Sequence, residues 1–156
     1  MAVNPKLSVG DLAPDFSLPT DDQGTVSLAD FRGQKLVIYF YPKDMTPGCT
    51  AQACDFRDRY AALQAAGWTV LGVSPDSVQS HAKFRAKHEL NFPLVADVDH
   101  AMADAYGVWR EKTNYGKVYV GIVRSTFLID AGGKISAIQD NVKATGHVER
   151  LARELV

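Results

Sequence analysis

The sequence predicts an α/β fold, a mixed central sheet flanked by helices, on the strength of three observations. Residues 36–41 are continuously apolar, β-branched and aromatic, as a strand buried on both faces must be. Strand-like apolar runs then alternate with helical stretches as far as about residue 106. A glycine-centred hairpin and a final helix close the chain. The 156 residues, 46% hydrophobic and 22% charged, fit one domain spanning 1–156. A chain of this length buries about two thirds of its unfolded surface without disulfide or metal staples.

Each element has its own signal. Phe16-Ser17-Leu18 and Thr25-Val26-Ser27-Leu28 alternate apolar with polar around the turn-forming stretch 20–24, which predicts an N-terminal β-hairpin. Pro42 ends the central strand. Thr46 offers a capping hydroxyl and Pro47 a helix-ready φ, so a helix opens there and runs to about Ala66, with Gly67 as its stop. A second strand covers 68–73, a helix about 77–88, a third strand 92–96 and a short helix 99–106. Strands at 125–130 and 134–138 flank Ala131-Gly132-Gly133, whose paired glycines permit the positive φ of a tight turn. A last helix covers 147–155. That order is the one found in the thioredoxin-like fold.

Composition excludes several classes of function. The net charge is −1, and no lysine or arginine run is dense enough for a nucleic-acid or anionic-membrane binder. The start, MAVNPKLSVGD, lacks the charged and apolar regions of a signal peptide, and no segment approaches the roughly 20 apolar residues of a membrane span. The expected address is the cytoplasm. Thiols there stay reduced, so a close cysteine pair signals redox or metal chemistry rather than a structural bridge.

The pair is Cys49 and Cys54. Cys49 falls in the first turn of the predicted helix, where free backbone N–H groups and the macrodipole favour a thiolate. Positions 49, 53, 56, 60 and 63 form a helical stripe of Cys, Ala, Phe, Tyr and Leu, so Cys49 faces the sheet. Cys54 lies about 140° around the helix, on the wetter side with Arg57, Asp58 and Ala61. In a regular helix the two Cα atoms stand roughly 8.5 Å apart, beyond the roughly 4.4–6.8 Å of a disulfide. A Cys49–Cys54 bond therefore requires the first turns to unwind. A two-step oxidant reaction fits that gap: Cys49 attacks a peroxide, and Cys54 then condenses with the sulfenic acid. Cys54 fits equally as an inert, alanine-like surface thiol.

Other residues carry weaker signals. Thr46 reads as a helix cap, a role compatible with ligand contact. Arg124, by position alone, is a surface residue at a strand start. His81 and His88 lie seven apart on one helix face; lacking further ligands at short spacing, they read as a solvated charged face rather than a metal site. The stretch 110–119 mixes cations with aromatics and reads as a mobile loop bordering the active site rather than a nucleic-acid surface.

With these residues in place, the chain resembles the peroxiredoxins, specifically the bacterioferritin comigratory protein or peroxiredoxin Q subfamily. Gly10-Asp11-Leu12-Ala13-Pro14-Asp15-Phe16 is similar to the family's N-terminal signature. Pro42, Thr46 and Cys49 have its P-x-x-x-T-x-x-C spacing, and Gly48-Cys49-Thr50 with Gln52-Ala53-Cys54 resembles the version with both thiols on one helix. Arg124, opening Arg124-Ser125-Thr126-Phe127, matches the family's active-site arginine. The resemblance implies that Cys49 is the peroxidatic nucleophile and Cys54 the resolving thiol. It further implies that Thr46 binds the peroxide, that Arg124 stabilises the thiolate and that Pro42 shields it. Reduction by thioredoxin or a similar dithiol, a monomer, and no metal or organic cofactor follow from the same source. Two other functions stay open. A peroxide-sensing interaction protein would use the same disulfide with low turnover; a dithiol–disulfide oxidoreductase would be expected to carry C-x-x-C, which is absent.

Overall fold

A computed structural model describes residues 7–21 and 24–156. Its centre is a five-stranded mixed sheet. Strand β3 (Lys35–Phe40) pairs in parallel with β4 (Trp68–Ser74), which pairs in parallel with β5 (Leu94–Ala96). On its other side β3 pairs antiparallel with β8 (Ser125–Ile129), which pairs antiparallel with β9 (Ile135–Gln139). The order is thus β5-β4-β3-β8-β9, with the most apolar strand in the middle. Side chains of β3 alternate between two cores, as the pleat requires. Val37 and Tyr39, with Tyr41 just beyond the strand, pack on one face; Leu36, Ile38 and Phe40 pack on the other.

The first face is covered by α1 (Pro47–Ala65), α2 (Val78–His88) and α4 (His147–Leu155) through Phe56, Leu63, Phe84, Val148 and Leu151. The short α3 (Ala101–Ala105) lies on the opposite face with an N-terminal hairpin, β1 (Ser17–Pro19) and β2 (Thr25–Ser27). Asp22 and Gln23 of that hairpin's expected turn, like residues 1–6, lie outside the described residues. Helix α1 begins and ends where the punctuation predicts, at Pro47 and before Gly67, whose φ is +91°. In the β8–β9 turn only Gly133 takes a positive φ, of the two glycines expected to do so; the Asp130 carboxylate accepts from the Gly132 and Lys134 amides there. Gly72 is required for close approach, because a Cβ there would stand 3.0 Å from the Tyr39 ring.

The stretch 110–119 is not a loop. It forms most of an antiparallel hairpin of β6 (Trp109–Asn114) and β7 (Lys117–Ile122), closed by Tyr115 at φ +53° and Gly116 at φ +77°, as a tight two-residue turn demands. Among the described residues no helix is long and apolar enough to cross a membrane.

Candidate active site

The site lies where β3 hands over to α1. The connecting turn, 41–46, is held by a buried network. The Tyr41 hydroxyl donates to Asp44 Oδ1 (2.7 Å), Ser80 Oγ donates to Asp44 Oδ2 (2.8 Å), and His81 Nδ1 stands 2.8 Å from the same oxygen. The Asp44 amide in turn donates to Asp76 (2.8 Å), which also accepts from Ser74 Oγ at 2.6 Å. Burial opposes the Asp44 carboxylate, but the hydrogen bond and charge of His81, then the hydrogen bonds from Tyr41 and Ser80, hold its pKa below the ordinary value. His81 therefore sits inside, fully buried, and not on the solvated face its spacing suggested. Helix α2 turns this position, with Phe84, towards the core, and an imidazole there needs partners: Asp44 on one nitrogen, the Val95 carbonyl on the other. Asp44, Asp76 and His81 bring ligand-type atoms within 4.8 Å of one another, yet O–H and N–H donors already face the carboxylate oxygens, so the cluster braces the turn.

That brace fixes Met45 at φ +69° and delivers Thr46 as the residue preceding α1. Contrary to the capping role its position predicts, the Thr46 hydroxyl makes no bond to the helix amides; it donates to the Lys43 carbonyl at 2.8 Å. Its single proton is thereby committed, leaving its lone pairs to accept. Pro47 brings no N–H, and the amides of Gly48 and Cys49 precede the first intrahelical bond, from Thr50 to the Thr46 carbonyl. Cys49 is 2% exposed, its side chain aimed into the core face with Ala53 and Phe56. Pro42 is half-buried at the head of the turn.

Arg124 lies just before β8, 75 residues from Cys49 along the chain. Its Nη2 donates to Cys49 Sγ at 3.3 Å and its Nη1 to Gln52 Oε1 at 2.5 Å. Its carbonyl accepts from the Val142 amide, which ties the residue to the β9–α4 connection. Gln52, fully buried, was not singled out from the sequence. Its position three after Cys49 puts it on the neighbouring helix face. Lys112, on the β6–β7 hairpin, donates to the Ile122 carbonyl at 2.6 Å and lies 5.7 Å from the Tyr119 ring centroid. Burial, then the Arg124 charge, push its pKa below the ordinary lysine value, while the Cys49 charge opposes the shift. The hairpin thus borders the site, as the expected loop would have. Cys54 is half-buried on the same helix, five residues from Cys49, and both thiols are free.

Together these residues set a guanidinium donor against a cysteine sulfur in the first turn of a helix, where backbone N–H groups lack intrahelical partners. The AhpC/TSA family matches residues 9–138. Peroxiredoxin Bcp of Escherichia coli (strain K12) is 50% identical over 145 residues, 93% of this chain and 92% of its own. Peroxiredoxin Bcp of Bacillus subtilis (strain 168) is 47% identical over 149 residues, 96% of this chain and 95% of its own. Among solved structures, the bacterioferritin comigratory protein of Xanthomonas campestris, a protein with alkyl peroxide reduction activity, superposes with a TM-score of 0.87 at 40% identity over 97% of both chains.

Proposed function

The chain belongs to the AhpC/TSA family, within it to the Bcp or peroxiredoxin Q branch whose membership implies thiol peroxidase activity, and from that premise we propose a cycle run by Cys49 and Cys54. The Cys49 thiolate attacks one peroxide oxygen. An S–O bond forms, the O–O bond breaks, and the leaving oxygen takes a proton and departs as water or alcohol. The sulfur is oxidised to sulfenic acid as the peroxide is reduced. Arg124 holds the thiolate and, with the Gly48 and Cys49 amides, faces the charge that develops on oxygen. Thr46, its proton engaged by Lys43, accepts from the hydroperoxide O–H, and Pro42 keeps water from the sulfur.

In the second step the Cys54 thiolate attacks the sulfenic sulfur, an S–S bond forms and hydroxide leaves as water. Helical geometry keeps the two Cα atoms roughly 8.5 Å apart, so residues 47–54 unwind first. Thioredoxin or a similar dithiol then reduces the disulfide by exchange. Electrons balance with peroxide and dithiol alone, with no metal or organic cofactor. Both thiols stand on one helix, so a monomer suffices, and the dependence on a dithiol reductant suits the cytoplasm. Hydrogen peroxide and organic hydroperoxides are the substrates, a range supported by the alkyl peroxide activity of the Xanthomonas relative.

The observation that carries the reading is the 3.3 Å contact of Arg124 with Cys49 at the start of α1. The test is intact mass after one equivalent of peroxide, with peptide mapping. Loss of two mass units within residues 49–54, and NADPH-coupled turnover with thioredoxin and its reductase, are expected. An unchanged mass, or a Cys49→Ser protein as active as wild type, would refute the assignment.

A further inference from the structure

Behind Arg124 the hydrogen bonds continue into the part of the fold farthest along the chain. Gln52 Nε2 lies 3.4 Å from His147 Nδ1, and His147 Nε2 lies 2.7 Å from Gln139 Oε1. Four groups are thereby linked in series from the Cys49 sulfur: Arg124 before β8, Gln52 on α1, His147 at the first turn of α4 and Gln139 on β9. Gln52 is fully buried and His147 is 3% exposed, so neither can exchange a lost partner for water.

The directions of these bonds follow from the guanidinium end. An arginine has only donors, so the Gln52 atom 2.5 Å from Nη1 is the carbonyl oxygen. The amide NH2 of Gln52 then points at His147, whose Nδ1 must accept. A neutral imidazole that accepts at Nδ1 carries its proton on Nε2, and that proton meets the Gln139 oxygen. Every donor has an acceptor in one arrangement only. With His147 in the other tautomer, or protonated, N–H would face N–H, and Gln52 would have to turn its NH2 towards the guanidinium.

We infer that His147 is a positioning residue of the peroxidase site: by accepting from Gln52 it fixes the amide orientation that aims Arg124 at the Cys49 sulfur. This rests on the cycle proposed above. Burial and then the charges of Arg150 and Arg124 hold the His147 pKa down at about 4, which keeps the required neutral form at physiological pH. The edge of its ring also packs on Phe56, centroids 6.4 Å apart, so a packing role is the alternative to be separated.

Two substitutions separate them. His147→Phe keeps the ring and loses the acceptor; His147→Asn loses the ring but places a carbonyl oxygen where Nδ1 stood. Positioning predicts that Cys49 in the Phe variant reacts roughly fivefold more slowly, with iodoacetamide as with peroxide, while the Asn variant stays close to wild type. Packing alone predicts the reverse order and would overturn the inference. Alkylation at Cys49, mapped by mass spectrometry, reads the thiolate environment even in a protein that does not turn over peroxide. Failure of the peroxidase reading would therefore show separately, as alkylation without peroxide reaction. Nitrogen-15 NMR of histidine-labelled wild type supplies the readout that needs no variant. A neutral imidazole protonated at Nε2 is expected at pH 7; a charged ring, or the Nδ1–H tautomer, overturns the proposal.

Discussion

Replacing Arg124 with methionine keeps a long apolar stem and removes the charge beside Cys49. At 3.3 Å, two unit charges attract by about 5 kcal/mol for an effective dielectric constant of about 20. Arg124 is half-exposed, so water screens much of this, and the net loss is that of one charge-assisted hydrogen bond, about 1.5–3 kcal/mol. Since each 1.4 kcal/mol is a factor of ten in rate, oxidation of Cys49 slows by about 10- to 100-fold. The same substitution strips the buried Gln52 oxygen of its donor, costing about 1–3 kcal/mol of stability. Arg124→Lys keeps a charge but not the fork that reaches sulfur and amide together, so it falls between. Stopped-flow fluorescence of the reduced protein mixed with hydrogen peroxide gives the rate, and thermal melts give the stability. A methionine variant within twofold of the wild-type rate would refute the reasoning, because the guanidinium would then be a bystander.

Cys54→Ser is expected to consume one equivalent of peroxide and then stop, with thioredoxin-linked turnover lost and sulfenic acid detectable by a dimedone adduct; sustained turnover would assign resolution elsewhere. Tyr39 buries a hydroxyl that has no hydrogen-bond partner among the described residues, so Tyr39→Phe should leave the melting temperature unchanged or raise it, and a fall of several degrees would mean the hydroxyl is satisfied. The depressed His147 pKa has a definite sign. Between pH 6.5 and 4 the unfolded chain binds a proton there that the folded chain does not, so stability is full above pH 6.5 and is lost as pH falls towards 4. The difference amounts to about 3 kcal/mol across that window. Urea midpoints measured from pH 7 to 4.5 should therefore fall more steeply for wild type than for His147→Phe; parallel curves would contradict the shift.

The elements legible in the sequence were those whose local chemistry and burial agree. Residues of β3 are apolar on both faces because both faces are covered, and α1 carries its own start and stop in Pro47 and Gly67. The β6–β7 hairpin escaped because Val118, Tyr119 and Val120 are all substantially exposed, leaving no buried face to set a period of two. Its turn also places a tyrosine, rather than the usual asparagine or aspartate, at positive φ. His81 misled in the opposite direction. A histidine on a helix with many charges looks solvated, and it takes Asp44, 37 residues earlier, together with the Val95 carbonyl to make its burial tolerable.

The active site divides along the same line. Cys49 and Thr46 announce themselves through local spacing at a helix start, whereas Arg124 meets Cys49 only because β8 pairs beside β3. Gln52 and His147 lie further from any local signal, since a buried glutamine has meaning only once its two partners, 72 and 95 residues away, are in place. That long-range character has a chemical consequence. In the cycle proposed above, resolution by Cys54 takes residues 47–54 out of the helix, and Gln52 lies within them, so unwinding would break its bonds to both Arg124 and His147. In that cycle the hydrogen-bonded arrangement around Arg124 would be dismantled by the motion that lets Cys54 reach the oxidised sulfur. Once the sulfur has become a neutral sulfenic acid, the attraction holding Arg124 over it weakens. In that cycle one contribution to the cost of unwinding would fall only after peroxide has reacted, and the charge on a single atom would keep the two steps in order.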